Sequence, residues 1–151
     1  MATGYCTLYG DMAGGYAVLK DVLKTRVFEL ARWRNLHNPY GSADSPIPER
    51  IITRPPSAEL RAEQTDQDSL PAYEVLDDIL ALFVEDDCTV DEIVAAGHDR
   101  AVVERVTRLL RINEYKRRQS AIGPRVTHRN FGKDWRYPIV NRFREQAVRA
   151  K

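Results

Sequence analysis

Apolar residues recur at helical spacing in three stretches of this chain, and each stretch predicts a helix. Between Asp21 and Leu36, the positions Leu23, Val27, Leu30 and Ala31 share one face, with Arg and Lys on the other. Leu76, Ile79, Leu80, Phe83 and Val84 form a second stripe. Pro71 stands ahead of it, where a missing N–H costs nothing at a helix start. Val102, Val106, Leu109, Leu110 and Asn113 mark the inner face of the longest expected helix, with Asp99 as its cap. That helix runs on into Glu114-Tyr115-Lys116-Arg117-Arg118. A short helix precedes it, because Thr89 and Glu92 have the spacing of a capping box and Gly97 supplies the stop.

Breakers and polar runs fill the rest. Residues 5–16 are rich in Gly and Tyr and read as a loop, and residues 37–48 are a polar, Pro- and Gly-bearing connection. Arg50 to Thr53 reads as a short strand. Gly123-Pro124 interrupts the helical pattern, and residues 126–143 mix aromatic and basic side chains with no clear period. There is no internal repeat and no low-complexity tract. The fold expected of the chain by itself is one mainly α unit with extended connections.

Composition narrows the class. The 151 residues suffice for one domain with a core, and 43% hydrophobic with 30% charged is ordinary for a globular protein. No apolar run approaches the roughly 20 residues that span a bilayer. The opening MATGYCTLYGDM has no basic residue ahead of an apolar core, so no signal peptide and a cytoplasmic location are expected. Cys6 and Cys88 stand apart from each other and from the three histidines, and read as reduced packing thiols. The formal net charge of +1 hides an asymmetry: residues 37–97 carry 3 basic and 14 acidic side chains, and residues 98–151 carry 15 basic and 5 acidic. Mutual attraction between the two parts explains this, and so does a basic end that grips an anion.

Several groups are candidates for chemistry. The stretch IITRPPSAELRAEQTDQDSLPAY, residues 51–73, is too polar for core and too particular for a linker. Pro55-Pro56 holds its backbone extended, Ser57 and Thr65 offer hydroxyls, and Glu59, Glu63, Asp66 and Asp68 offer hard carboxylate oxygens. The loop Tyr9-Gly10-Asp11-Met12-Ala13-Gly14-Gly15 lets backbone approach a ligand, with Asp11 as an acceptor, but is not a Walker-type phosphate loop. Lys24 is either a solvated lysine or a point charge for phosphate. Lys116-Arg117-Arg118 either complements a helix dipole or binds phosphates. Phe131, Trp135, Tyr137 and Phe143 interleave with Arg125, Arg129, Arg136 and Arg142, which raises nucleic-acid binding as a rival, without any nucleic-acid motif behind it. His98 beside Asp99, and His128 near Asp134, are the acid–base pairings in view, and no nucleophile motif accompanies them.

Three blocks carry a resemblance: GYCTLYGDMAGGYAVLKDVLKT, IPERIITRPPSAELRAEQTDQDSLPAY and INEYKRRQSAIGPRVTHRNFGKDWRYPIVNRF. In this order, and over nearly all of residues 4–143, they resemble glutamine-dependent NAD synthetases of the N-type ATP pyrophosphatase family. The resemblance implies a fragment of an α/β, adenine nucleotide alpha hydrolase-like and Rossmann-like synthetase domain. It implies that residues 1–151 are its C-terminal segment, without the family's SGGxDS loop and without the glutaminase domain. The implied reaction is a ligation: Mg²⁺ and ATP adenylylate deamido-NAD⁺, and glutamine-derived ammonia displaces AMP to give NAD⁺. By the same resemblance Lys24 and Ser57 contact ATP, Ser57 lies at the Mg²⁺ site, and Asp11 lies near the nicotinate end where ammonia arrives. Tyr115, Lys116 and Asp134 bind deamido-NAD⁺, and the assembly is a homodimer with no membrane or nucleic-acid partner. Ala62, Ala72 and Leu23 depart from the family by replacing prolines, at positions that stiffen backbone. The chain alone is expected to be inactive; the alternative is a free-standing, non-catalytic dinucleotide-binding module.

Overall fold

Among the described residues, six helices follow from the local signals and from contacts that no local signal encodes. The computed structural model describes residues 1–10, 12–37, 39, 41, 45–54, 56, 70–129 and 134–143. In chain order the helices are α1 (Lys24–His37), α2 (Glu49–Thr53), α3 (Tyr73–Leu80), α4 (Val90–Ala95), α5 (Arg100–Ile112) and α6 (Glu114–Gln119). Helix α3 continues without a break into a π-helical segment, Ala81–Glu85. Among the described residues there is no strand, only an isolated parallel bridge between Tyr16 and Ile122.

The core is the meeting of the predicted α3 stripe with α5, where Val106 and Leu110 are buried as expected, Val103 and Thr107 join them, and Val102, Leu109 and Asn113 are only partly buried. Leu76, Ile79, Leu80, Phe83 and Val84 from α3 and its extension pack on Val103, Val106 and Leu110 of α5. Val90 and Ile93 of α4 and Leu70 complete the buried cluster. Asp99 caps α5 by accepting from the Val102 N–H at 3.0 Å. The Thr89–Glu92 capping box forms in both directions, with Thr89 N–H donating to Glu92 Oε2 at 2.7 Å and Glu92 N–H to Thr89 Oγ1 at 3.3 Å. Gly97 adopts φ +111°, beyond ordinary reach of L side chains, where the chain turns from α4 to α5.

Three expectations are corrected. Residues 50–53 lie in α2, not in a strand. Pro48 pre-sets φ, Glu49 favours the helix start, and Ile52 gains burial, which together outweigh the β-branched preference of Ile51-Ile52-Thr53. Helix α1, at 14 residues, exceeds α5 by one. It also buries none of its residues among those described: Leu30, Trp33 and Leu36 are exposed, and Trp33 stacks on His37 at 4.9 Å.

The cap of α1 comes from another element. No acidic residue lies in its first turn, and Asp77 of α3 accepts from the Thr25 N–H at 2.8 Å. Burial pushes the Asp77 carboxyl above its ordinary value, opposed by these Thr25 bonds.

Beneath α5 and α6 lies an ion pair sealed from solvent. Glu114 and Arg117 are each only 2% exposed, and Arg117 Nη2 meets Glu114 Oε2 at 2.8 Å. Arg117 also donates to the Leu110 and Ala2 carbonyls, and Arg118 Nε reaches the other Glu114 oxygen at 3.1 Å. Arg117→Met leaves the Glu114 charge buried without this partner and is expected to cost about 3–5 kcal/mol. Glu114→Leu combined with Arg117→Met is expected to cost no more than Arg117→Met alone. Urea unfolding followed by circular dichroism measures this, and additive losses would mean the pair is not coupled.

Candidate functional site

Lys116 gathers the N-terminal loop onto the end of α5 and onto α6. Its ammonium donates to the Gly4 carbonyl at 2.7 Å and the Cys6 carbonyl at 2.9 Å. Asn113, between α5 and α6, donates to the Thr3 carbonyl at 2.7 Å, and Arg117 to that of Ala2. The loop thus turns its carbonyls toward donors more than a hundred residues away. Gly4 is required here: it sits at φ +71°, and a Cβ would lie 2.1 Å from Asn113 Cγ. Tyr115 lies beside Lys116 and is 37% exposed.

The segment after α6 is a strap stitched down at successive points. Ala17 N–H donates to the Ile122 carbonyl at 2.7 Å and Lys20 Nζ to that of Ala121 at 3.1 Å. Gly123 passes so close to the Ala17 carbonyl that a Cβ would meet it at 2.3 Å. Asp21, 6% exposed, accepts from the Val126 and Thr127 N–H groups at 2.8 and 3.0 Å and from Thr127 Oγ1 at 3.1 Å. His128 and Arg129 then meet the end of the π-helical segment, His128 at the Glu85 carbonyl and Arg129 in an ion pair with Asp87.

Farther along, Asp134 faces Arg125 at 3.6 Å. Trp135 packs edge-on against Phe83 and Tyr137, and Arg129 lies over its ring. Arg118 of α6 donates to the Tyr137 carbonyl at 3.0 Å, tying the strap to the helix that carries Tyr115 and Lys116. A cavity of about 380 Å³ opens here, walled by Phe83, Trp135, Tyr137 and Phe143, with Arg111 and Asp134 on its lining. Arg111 covers the Tyr137 and Phe143 rings. Of the interleaved Arg and aromatic residues, Arg125, Arg129, Trp135, Tyr137 and Phe143 make these contacts within the chain, and Phe131 lies outside the described residues.

The sequence candidates divide accordingly. Tyr115 and Lys116 share α6, and Arg118 and Tyr137 link them to the strap that bears Asp134. Lys24 stands elsewhere, at the first turn of α1, with its ammonium 5.3 Å from the Phe28 ring centre and 5.9 Å from that of Tyr73. Asp11, Ser57 and the carboxylates of residues 59–68 lie outside the described residues. The described His, Cys, Asp and Glu residues form no cluster of three suited to a metal ion. His98 pairs with Asp78 at 2.8 Å and not with Asp99, whose side chain is spent on its helix cap. His128 pairs with Glu85 and not with Asp134. Asp21, Asp77, Asn113 and Glu114 were missed as organising residues; their partners lie 105, 52 and 110 positions away or, for Glu114, require knowledge that α6 is buried.

The NAD synthase family matches residues 1–120, and the chain belongs to that family. A glutamine-dependent NAD(+) synthetase of Rhodobacter capsulatus is 63% identical over 150 residues, covering 97% of this chain and 27% of the relative. One from Thermotoga maritima is 56% identical over 145 residues, covering 96% and 24%. A solved glutamine-dependent NAD+ synthetase from Acinetobacter baumannii, in complex with adenosine diphosphate, is 56% identical with a TM-score of 0.47, over 91% of this chain and 23% of that one. The chain spans about a quarter of the length of the relatives it matches.

The strap's attachment has a pH dependence that follows from Asp87. Its hydrogen bond to Arg129 holds the Asp87 carboxyl below the usual carboxylate range. A depressed folded-state value means that the attachment contributes fully above the unfolded pKa and is lost as pH falls through the folded one. In a Trp33→Phe background, Trp135 fluorescence is expected to shift as pH drops below about 4. Asp87→Asn should give the shifted signal already at neutral pH; an unchanged signal would mean the ion pair does not hold the strap.

Proposed function

We propose that this chain is the C-terminal segment of a glutamine-dependent NAD⁺ synthetase, within an α/β, Rossmann-like nucleotide-binding domain. The observation that carries this reading is the Lys116 ammonium held between the Gly4 and Cys6 carbonyls beside Tyr115, in a chain 63% identical to an enzyme of that name. In the proposed reaction the nicotinate carboxylate of deamido-NAD⁺ attacks the α-phosphorus of ATP and pyrophosphate leaves. Ammonia from glutamine then attacks the acyl carbon and expels AMP.

The residues suit the handling of anions. An ammonium carries three donors, and among the described residues Lys116 spends two on loop carbonyls; the third is proposed to meet a carboxylate or phosphate of deamido-NAD⁺. Its position is over-determined by the loop, so little ordering remains on binding. Tyr115, next to Lys116 in α6, is 37% exposed, and Asp134 lines the cavity walled by Trp135 and Tyr137. Lys24, set on two aromatic faces, is proposed to meet ATP phosphate as a compact point charge. Ser57 is proposed for ATP and Mg²⁺, where the ion would offset phosphate charge, and Asp11 for the ammonia end. The exposed Leu30, Trp33 and Leu36 of α1 support burial in a larger assembly, which we take to be a cytoplasmic homodimer of the synthetase.

Lys116→Ala in the synthetase that contains this segment should raise the KM for deamido-NAD⁺ about 10- to 100-fold and leave the KM for ATP within about threefold. Steady-state kinetics with each substrate varied in turn decides it. Unchanged values for both substrates would overturn the assignment of Lys116.

A further inference from the structure

Asp21 holds a position that the reaction, as proposed above, leaves unexplained. It is a buried carboxylate whose Oδ2 atom gathers three donors, and all three belong to Val126 and Thr127. Three donors converging on one carboxylate oxygen hold that oxygen firmly in place. They join the turn before α1 to the strap, 105 residues away in sequence.

The neighbouring contacts make the joint directional. Ala17 and Lys20 fix the strap's start at Ile122 and Ala121, and Gly123 admits the close backbone approach between them. Asp21 fixes the next point. Arg125, immediately before Val126, is the residue that faces Asp134. The strap then continues to Tyr137, whose carbonyl is held by Arg118 on the helix of Tyr115 and Lys116. Along the chain the clamped residues, Val126 and Thr127, therefore fall between two members of one candidate set: Lys116 on α6 and Asp134 on the strap. Lys24 is seated independently, because the Asp77 bond to Thr25 and two aromatic rings fix the first turn of α1.

We propose that Asp21 is a positioning residue for the dinucleotide: by clamping Val126 and Thr127 it sets Arg125, and through Arg125 the orientation of Asp134 against the Lys116 surface. It touches no substrate. This inference rests on deamido-NAD⁺ being the ligand of Tyr115, Lys116 and Asp134. Its signature is a split that general destabilisation would not produce, with dinucleotide recognition impaired and ATP recognition kept.

The test uses the intact synthetase containing this segment, with Asp21→Ala, Asp21→Asn and Thr127→Val, each assayed by steady-state kinetics, thermal melting and amide exchange. Asp21→Ala is expected to raise the KM for deamido-NAD⁺ about tenfold with the KM for ATP within about twofold, and to free the Val126 and Thr127 amides. Asp21→Asn keeps an acceptor oxygen and should fall between wild type and Ala. Thr127→Val removes one of the three donors, leaves the buried carboxylate bonded, and should show the same split in smaller measure if Asp21→Ala does not fold. A lowered melting temperature with both KM values unchanged would overturn the proposal, as would equal loss for both substrates. Absence of deamido-NAD⁺ turnover in the wild-type enzyme would overturn the functional reading and this inference with it, and that outcome is distinct because no variant is involved.

Discussion

The buried Glu114–Arg117 pair is the constraint on which the rest of the arrangement depends. Two opposite charges out of water are tolerable only when their remaining hydrogen-bonding capacity is met by fixed partners. Here the partners are the Leu110 carbonyl at the end of α5, the Ala2 carbonyl of the N-terminal loop, and Arg118 on the second carboxylate oxygen. Satisfying this one pair thus brings loop, α5 and α6 to a single place. Lys116 and Arg118 flank Arg117 on the same short helix, so the loop carbonyls and the strap are reached from a base already set.

Much of the scaffold was legible because its causes are local. The Thr89–Glu92 box, the Asp99 cap and the α3 stripe each need only a few residues to define them, and each formed with the residues named. In α2 two local signals compete, the β-branched run Ile51-Ile52-Thr53 and the Pro48-Glu49 start, and the fold follows the second. The cap of α1 could not have been read, since Asp77 arrives from a different helix. The histidine pairings failed for the same reason: adjacency to Asp99 in sequence does not survive Asp99 turning back onto α5.

For the candidate site, residue types were more legible than their company. Tyr115, Lys116 and Asp134 follow from the family's motifs, yet the motifs do not say that Lys116 grips backbone carbonyls or that Arg118 links α6 to the strap. In the sequence the basic run at residues 116–118 reads as a complement to a helix dipole or as a phosphate-binding cluster. In the fold its middle member is sealed inside, and the outer two reach different partners, Lys116 the N-terminal loop and Arg118 the strap. Uniform charge along three positions therefore conceals three different physical situations.

The loop of residues 2–6 carries a consequence for how the chain is made. Its carbonyls are held by Asn113, Lys116 and Arg117, across separations of 110 to 115 residues. At synthesis rates of about 5–20 residues per second, the loop leaves the ribosome roughly 5–20 s before its partners exist. Over that interval no donor from α5 or α6 is present to hold it, and closing so long a span must await the packing of α5 against α3. Residues 2–6 thus settle only after α5 and α6 have emerged, and the surface around Lys116 is completed only when these two distant parts of the chain have met.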